Sequence, residues 1–422
     1  MRVSTSHMHN TGVQNMTRQQ SEINESHNQL SSGRRVLRPS DDPSSAARIL
    51  DLERTVSSVE RFNRNNEMAR NRLSMSENVM EQVGNNLQRL RELTVQAANG
   101  SQDPQTRGYI ASEIRERYEQ LVELSNSRDG SGEYLFAGSK TKTLPFSKEP
   151  GGQVEYHGDQ NSRQVRIGPG RQIGIDNSGF EAFMKIPNGN GQFQAYESRQ
   201  NNGTGVVSVV DQAVHRIDPQ YGEYRLNFVA DNNGDMRYMI ERRHDENESQ
   251  GWEHVFPPAG PDGQPPAVED LPEYAPGSTI EVEEGVRVQV QGEPEQGDTF
   301  TVSTSRPQSM FETVHELIGA LEEDGKGPHF RNAINRALGD VDLALENVIN
   351  IRSQIGARLS VLDSEKASNE AALVDLQETI SSEEDLDYAE ATGRFNKQLS
   401  GLEAAQATFG RVQNLSLFNY IS

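Results

Sequence analysis

The stretch from Asp42 to Asn99 reads DPSSAARILDLERTVSSVERFNRNNEMARNRLSMSENVMEQVGNNLQRLRELTVQAAN, and its spacing decides the architecture. Leu52, Thr55, Val59, Phe62, Asn66, Ala69, Leu73, Ser76, Met80, Val83, Leu87, Leu90, Thr94 and Ala97 follow one another in alternating steps of three and four. That is the 3.5-residue repeat that keeps one stripe of a helix turned toward a partner. Asp42 before Pro43 is a helix start and Asn99-Gly100 a stop, so the spacing predicts one helix over the whole stretch. A shorter helix opens at Asp103-Pro104 and carries Ile110, Ile114, Leu121 and Leu124.

A matching stripe lies near the other end of the chain. Ser309 and Glu312 form a capping box ahead of Phe311, Val314, Ile318 and Leu321. Beyond Gly325-Lys326-Gly327-Pro328 a second seam runs through Ile334, Leu338, Val341, Leu345, Val348, Arg352, Ile355, Leu359, Leu362, Lys366, Asn369, Leu373, Leu376 and Ile380, with no later proline to break it. At about 1.5 Å per residue both long helices reach about 80 Å and can pair along their lengths. The expected fold is mainly α with a β-rich insert: a long antiparallel, coiled-coil-like rod built from the N- and C-terminal halves.

The outermost segments keep the same spacing with a poorer stripe. Val13, Met16, Gln20, Ile23, His27 and Leu30 at one end, and Tyr388, Thr392, Phe395, Leu399, Leu402, Gln406, Phe409 and Gln413 at the other, mix polar with apolar positions. Such helices bury too little to offset an ordering cost of about 1–2 kcal/mol per residue, so they are expected to be loose in the monomer and to order among neighbours. Most seams of this kind are intramolecular core, and the long helices fit that reading. For the ends an intermolecular role is expected, with an assembly interface on Val13, Met16, Ile23, Leu30, Tyr388, Phe395, Leu402, Phe409, Leu417 and Phe418. A polar seam residue such as Gln20 or His27 costs stability and fixes register.

Between Leu144 and Pro307 helical periodicity vanishes among prolines and glycines. Tyr224-Leu226-Phe228, then Asp231-Asn232-Asn233-Gly234-Asp235, then Met236-Tyr238-Ile240 read as a hairpin. Ile280-Val282, Val286-Val288-Val290 and Phe300-Val302 add strands, and Phe256 to Pro276 is a Pro-rich loop. The expected domains are 1–41 with 382–422 as terminal helices, 42–143 with 308–381 as rod, and 144–307 as an outward-facing insert projecting from the rod's far end.

Composition narrows the function. Across 422 residues, 41 basic and 63 acidic side chains leave a net charge of −22, which disfavours nucleic-acid and membrane-surface partners. The absence of cysteine removes disulfides, thiolate metal sites and cysteine nucleophiles. No run approaches the roughly 18–20 apolar residues of a membrane span, and the start, Met1 to His7, lacks an apolar secretory core, so a soluble chain without a cleaved signal peptide is expected. His315-Glu316 lacks a second histidine four residues on, where Gly319 stands, and Asp231 to Asp235 lacks the glutamate of a calcium loop, Arg242 standing there. Gly168-Pro169-Gly170 and Gly189-Asn190-Gly191 fit loops, not phosphate cradles. Glu383, Glu384, Asp385 and Asp387 are expected at the start of the last helix, where acids favour its dipole. No catalytic residue, cofactor or metal site is expected.

Several segments resemble the bacterial flagellin superfamily. Leu30-Ser31-Ser32-Gly33-Arg34-Arg35-Val36 and Gln88-Arg89-Leu90-Arg91-Glu92-Leu93-Thr94-Val95-Gln96-Ala97-Ala98-Asn99-Gly100 are similar to segments shared by that superfamily. Arg38-Pro39-Ser40-Asp41-Asp42-Pro43, Gly132-Glu133-Tyr134-Leu135-Phe136-Ala137-Gly138-Ser139 with Pro145-Phe146, the ending Leu415 to Ser422 and the opening Met1-Arg2-Val3-Ser4-Thr5 resemble its hook–filament junction branch. The resemblance implies a structural protein without enzymatic activity, exported through the flagellar type III channel with an export chaperone. It further implies a homo-oligomeric ring on the extracellular flagellum, between hook-associated protein 1 and flagellin. The alternatives are a filament flagellin, or a secreted binding module acting through exposed insert aromatics such as Trp252 and Tyr274.

Overall fold

The two seams fold as two long helices in a computed structural model that describes residues 5–99, 103–210, 221–244, 251–259, 266–322 and 327–421. In chain order the helices are α1 (Thr5–Ser32), α2 (Pro43–Ala98), α3 (Pro104–Ser125), α4 (Met310–Glu322), α5 (Pro328–Glu384) and α6 (Tyr388–Ile421). Between α3 and α4 lie the strands β1 (Phe146–Lys148), β2 (Val154–Tyr156), β3 (Gln164–Arg166), β4 (Gln172–Gly174), β5 (Ile186–Pro187), β6 (Phe193–Glu197) and β7 (Val206–Val209). They are followed by β8 (Tyr221–Ala230), β9 (Met236–His244), β10 (Glu253–Phe256), β11 (Thr279–Glu283), β12 (Val286–Gln291), β13 (Thr299–Thr304) and β14 (Pro307–Gln308).

Helix starts follow the capping chemistry. Asp42 Oδ1 accepts from the backbone N–H groups of Ser44 and Ser45, Asp103 Oδ1 from that of Thr106 at 2.7 Å, and Ser309 Oγ from that of Glu312 at 3.0 Å. The chain forms two compact units, a terminal one of residues 1–66, 167–170 and 363–422, and a central one of 67–166 and 171–362.

In the central unit α2 and α5 run antiparallel. As α2 advances through Glu77, Gly84 and Arg91, the partners fall back through Arg352, Val348 and Asp342, with Arg352–Glu77 at 2.7 Å and Arg91–Asp342 at 2.6 Å. Every seam residue of α2 from Ala69 to Ala97 is buried. Polar seam positions are satisfied locally: Thr94 Oγ1 donates to Leu90 O and Ser76 Oγ to Arg72 O. Aromatic rings from four separate segments close the core, with Phe136, Phe146, Phe183 and Phe311 packed at 5.2–5.9 Å and Tyr118 edge-on to Phe311.

The Gly132 to Ser139 segment is a turn threaded through this core. Gly132 and Gly138 take positive φ, and a side chain on Gly138 would run into the Asp159 carbonyl. Beneath it lies a charge cluster built on the buried Arg72 and Asp176. Arg72 reaches Asp176 at 2.5 Å, Tyr134 O at 2.8 Å and Asp129, while Arg163 reaches Asp176 at 2.7 Å and Glu133 at 3.0 Å. Burial raises the Asp129 carboxyl, but hydrogen bonds from Ser131 and Glu133 and the Arg72 charge outweigh it and hold it low.

The expected hairpin is β8–β9, and it belongs to a five-stranded sheet ordered β10-β9-β8-β13-β6. A three-stranded sheet, β11-β12-β7, faces it across a shared core that includes Phe193, Tyr224, Phe228, Val288 and Phe300. Asp231 closes the expected hairpin turn: its oxygens accept from Asn233 N, Asp235 N and Arg237 Nε.

The insert does not simply project from the helices' far end, as the sequence reading expected. Its first half lies along α5. Asn332 bonds Gly205 O and Val207 N, Asp340 accepts from Gly189 N at 2.8 Å, Asn347 donates to Glu181 O and Ala182 O, and Arg358 donates to Asn177 Oδ1. These polar residues stand beside the apolar seam, and the seam alone gives no sign of them.

Candidate assembly surface

In the terminal unit α1 and α6 pair antiparallel. His27 meets the Phe395 ring at 6.4 Å and His9 the Phe409 ring at 5.0 Å. Ser26 donates to Gln398 at 2.8 Å, and Arg394 donates to Gln29 at 3.0 Å. Gly12 lies under Phe409, where an added Cβ would come within 2.9 Å of the ring. His27, a polar seam position, thus contacts an apolar one on the partner helix.

The expected interface residues divide into three groups. Leu402 is buried, and Met16, Ile23, Leu30, Phe395 and Phe409 are half-buried. Val13 and Tyr388 are 41% and 57% exposed, and Leu399 beside them 38%. Leu417 and Phe418 lie outside the described side chains. Most of the surface of both helices is exposed.

Sequence reading missed the joint at the base of this pair. Gly33 ends α1 at a φ of +73°, its N–H donating to Gln29 O. The chain after it is bonded to the chain before α6: Arg35 N to Glu384 O at 2.6 Å and Leu386 N to Gly33 O at 2.9 Å. The acidic group also corrects an expectation. Glu383 and Glu384 occupy the last turn of α5, the unfavourable end of its dipole, and only Asp387 caps α6, accepting from Ala389 N and Glu390 N. Arginines offset the conflict: Arg34 pairs with Glu384 at 2.7 Å, and Arg48 with Glu383 at 3.1 Å. The Ser45 hydroxyl and Arg48 hold the Glu383 carboxyl below its ordinary range, and hydrogen bonds from Ser45 hold Asp42 at about 2. The signal was present in Gly33-Arg34-Arg35, a helix-stop glycine followed by two cations.

The insert aromatics Trp252 and Tyr274 do not stand exposed as the binding-module alternative requires. Tyr274 is buried, donating to Val290 O and Gly292 O, because its hydroxyl ties down the sandwich core. Trp252 is half-buried with Arg225 at 4.2 Å and Arg243 at 5.0 Å from its ring. Among the described residues no group of three His, Cys, Asp or Glu could hold a metal ion, and no helix is long and apolar enough to cross a membrane.

Helical ends around a strand-rich middle are the arrangement of a flagellin-type structural protein. Residues 3–141 match the bacterial flagellin N-terminal helical region and residues 338–421 the C-terminal one. The flagellar hook-associated protein 3 of Salmonella typhimurium is 33% identical over 186 residues, 44% of this chain and 58% of that relative's length. Two solved structures extend the likeness. FlgL of Xanthomonas campestris is 32% identical with a TM-score of 0.65, covering 78% of this chain and 99% of the other. The flagellar junction protein FlgL of Legionella pneumophila is 28% identical with a TM-score of 0.69, covering 80% and 100%. The chain belongs to the flagellar hook-associated protein 3 family within the bacterial flagellins, a family of flagellar structural proteins.

Proposed function

We propose that the chain is a structural adaptor at the hook–filament junction, polymerising as a ring that links hook-associated protein 1 to the flagellin filament. The observation that carries this reading is a family membership built on helical ends, joined to a terminal helix pair whose surface is mostly exposed. In the assembly the terminal helices of several copies form the inner layer, α2 and α5 a surrounding one, and the strand-rich insert, 144–307, faces outward. The interface lies on Val13, Met16, Ile23, Leu30, Tyr388, Phe395, Leu402, Phe409, Leu417 and Phe418. The chain reaches its place by flagellar export with a chaperone partner.

Deleting the gene is expected to leave hooks without filaments while flagellin monomers accumulate in the medium, as seen by electron microscopy and blotting. Filaments on such hooks would refute the adaptor role. Ile23→Asp and Phe409→Asp are each expected to leave the central unit folded and abolish filament attachment. Purified protein that grew into long filaments from its own seeds would instead make it a filament flagellin.

A further inference from the structure

In the terminal unit the two long helices carry opposite charge on the sides that turn away from each other. Ile49, Val59 and Asn66 of α2 are buried. At about 100° per residue the opposite side presents Leu50, Arg54, Ser57 and Arg61, all exposed. On α5, Asn369 is buried and Leu373, Leu376 and Ile380 are half-buried. The opposite side presents Ala371, Val374, Asp375 and Glu378, with Glu370 at its edge, all exposed. Leu50 and Val374 are 49% and 62% exposed, so each charged side also carries an uncovered apolar side chain. Arg61 donates to Ser58 Oγ at 3.1 Å, Lys366 meets Glu370 at 3.9 Å and Arg64 meets Glu60 at 4.0 Å, each between residues of one helix.

We propose that these sides are the two halves of one contact between copies, α2 of one chain against α5 of the next. Arg54 then lies between Glu370 and Glu378, within about one turn of each, and Arg61 lies within a turn of Glu370 on its inner side. Register supports the match. Ser45 bonds Glu383 at 2.9 Å, and nine residues inward from each, Arg54 and Val374 stand at the same height, with Glu370 and Glu378 about one turn to either side. Copies set side by side and pointing the same way therefore meet in charge register. A two-fold dimer would bring like charges together, whereas a heterologous contact repeats from copy to copy and forms a ring where its rotation closes. The chain's net charge of −22 makes copies repel at long range, and a local basic-to-acidic match is what offsets that repulsion. The inference rests on the adaptor reading and names the partner surface that reading requires.

Charge exchange in cells tests it. Arg54→Glu with Arg61→Glu, and separately Glu370→Arg with Glu378→Arg, are each expected to cut the fraction of filament-bearing hooks at least tenfold, with secretion and circular dichroism unchanged. All four substitutions in one chain are expected to restore attachment. The native chain has no cysteine, so Ser57→Cys in one copy and Ala371→Cys in another, mixed, are expected to form a disulfide-linked pair only in assembled protein. Normal attachment by both double variants, no recovery in the folded quadruple variant, or cross-linking equal in dilute monomer would overturn the contact while leaving the adaptor role intact. A wild-type copy that failed to restore filaments to a deletion strain would sink the adaptor role itself.

Discussion

One helix, α2, behaves in two ways along its length. From Ala69 to Ala97 every seam residue is buried, whereas Leu52 and Phe62 are half-buried and Thr55 is exposed although the repeat is unbroken. The pairing of α1 with α6 continues the second behaviour, with only Ser26, Gln29, Ala391 and Leu402 buried among its described side chains. Periodicity tells which side of a helix is turned inward; it does not tell how much is laid over it. The central unit supplies its own cover from α3, α4 and the insert. Among the described residues the terminal helices have each other and the adjoining turns of α2 and α5, which is the physical ground for proposing that their remaining surface meets neighbouring copies.

The contrast breaks most visibly in the core. Phe146→Ala or Phe311→Ala should lose about 3–5 kcal/mol, since each leaves a cavity among rings that cannot collapse. Arg72→Met should cost a similar amount, about 3–5 kcal/mol, because Asp176 is left buried without one of its two cations. Denaturant unfolding followed by circular dichroism measures both, and a loss below about 1 kcal/mol would remove the distinction between the units.

A smaller effect depends on pH. Burial raises the Asp340 carboxyl from 3.8 to about 6, so the folded chain holds this proton more tightly than the unfolded chain. Its contribution is fully present below about 3.8 and is lost as pH rises to about 6, a difference of about 3 kcal/mol. Asp340→Asn keeps an oxygen for Gly189 N and removes the charge. It should flatten that part of the stability profile and raise stability at neutral pH, as thermal melts between pH 4 and 8 would report; an unchanged profile would contradict the assignment.

Much of this was legible beforehand. The seams of α2 and α5, the caps at Asp42, Asp103 and Ser309, and the β8–β9 hairpin follow from spacing and turn chemistry alone. The aromatic core was not, because Phe136, Phe146, Phe183 and Phe311 come from four distant segments and no local period joins them. Nor was the docking of the insert on α5, which rests on Asn332, Asp340, Asn347 and Arg358, residues that lie off the apolar seam. At the candidate surface the stripes were visible, but the α1–α6 pairing and the Arg34, Arg48, Glu383 and Glu384 joint depend on contacts between opposite ends of the chain.

The terminal unit should answer more weakly to mutation. Gly33→Ala forces a side chain into a positive-φ position facing the Tyr388 hydroxyl and should cost about 1–2 kcal/mol, confined to the terminal pair. Phe395→Ala should cost less than about 1 kcal/mol in the monomer, because the ring is already half-exposed. A loss as large as that of Phe146→Ala would mean the pair is a finished core.

Amide hydrogen exchange on the monomer and on assembled junctions tests the central claim most directly. The account predicts slow exchange over residues 69–97 and 332–362 in both states, and over residues 9–32 and 388–411 fast exchange in the dilute monomer that becomes slow on assembly. Equal and strong protection of both terminal helices in the monomer would contradict it.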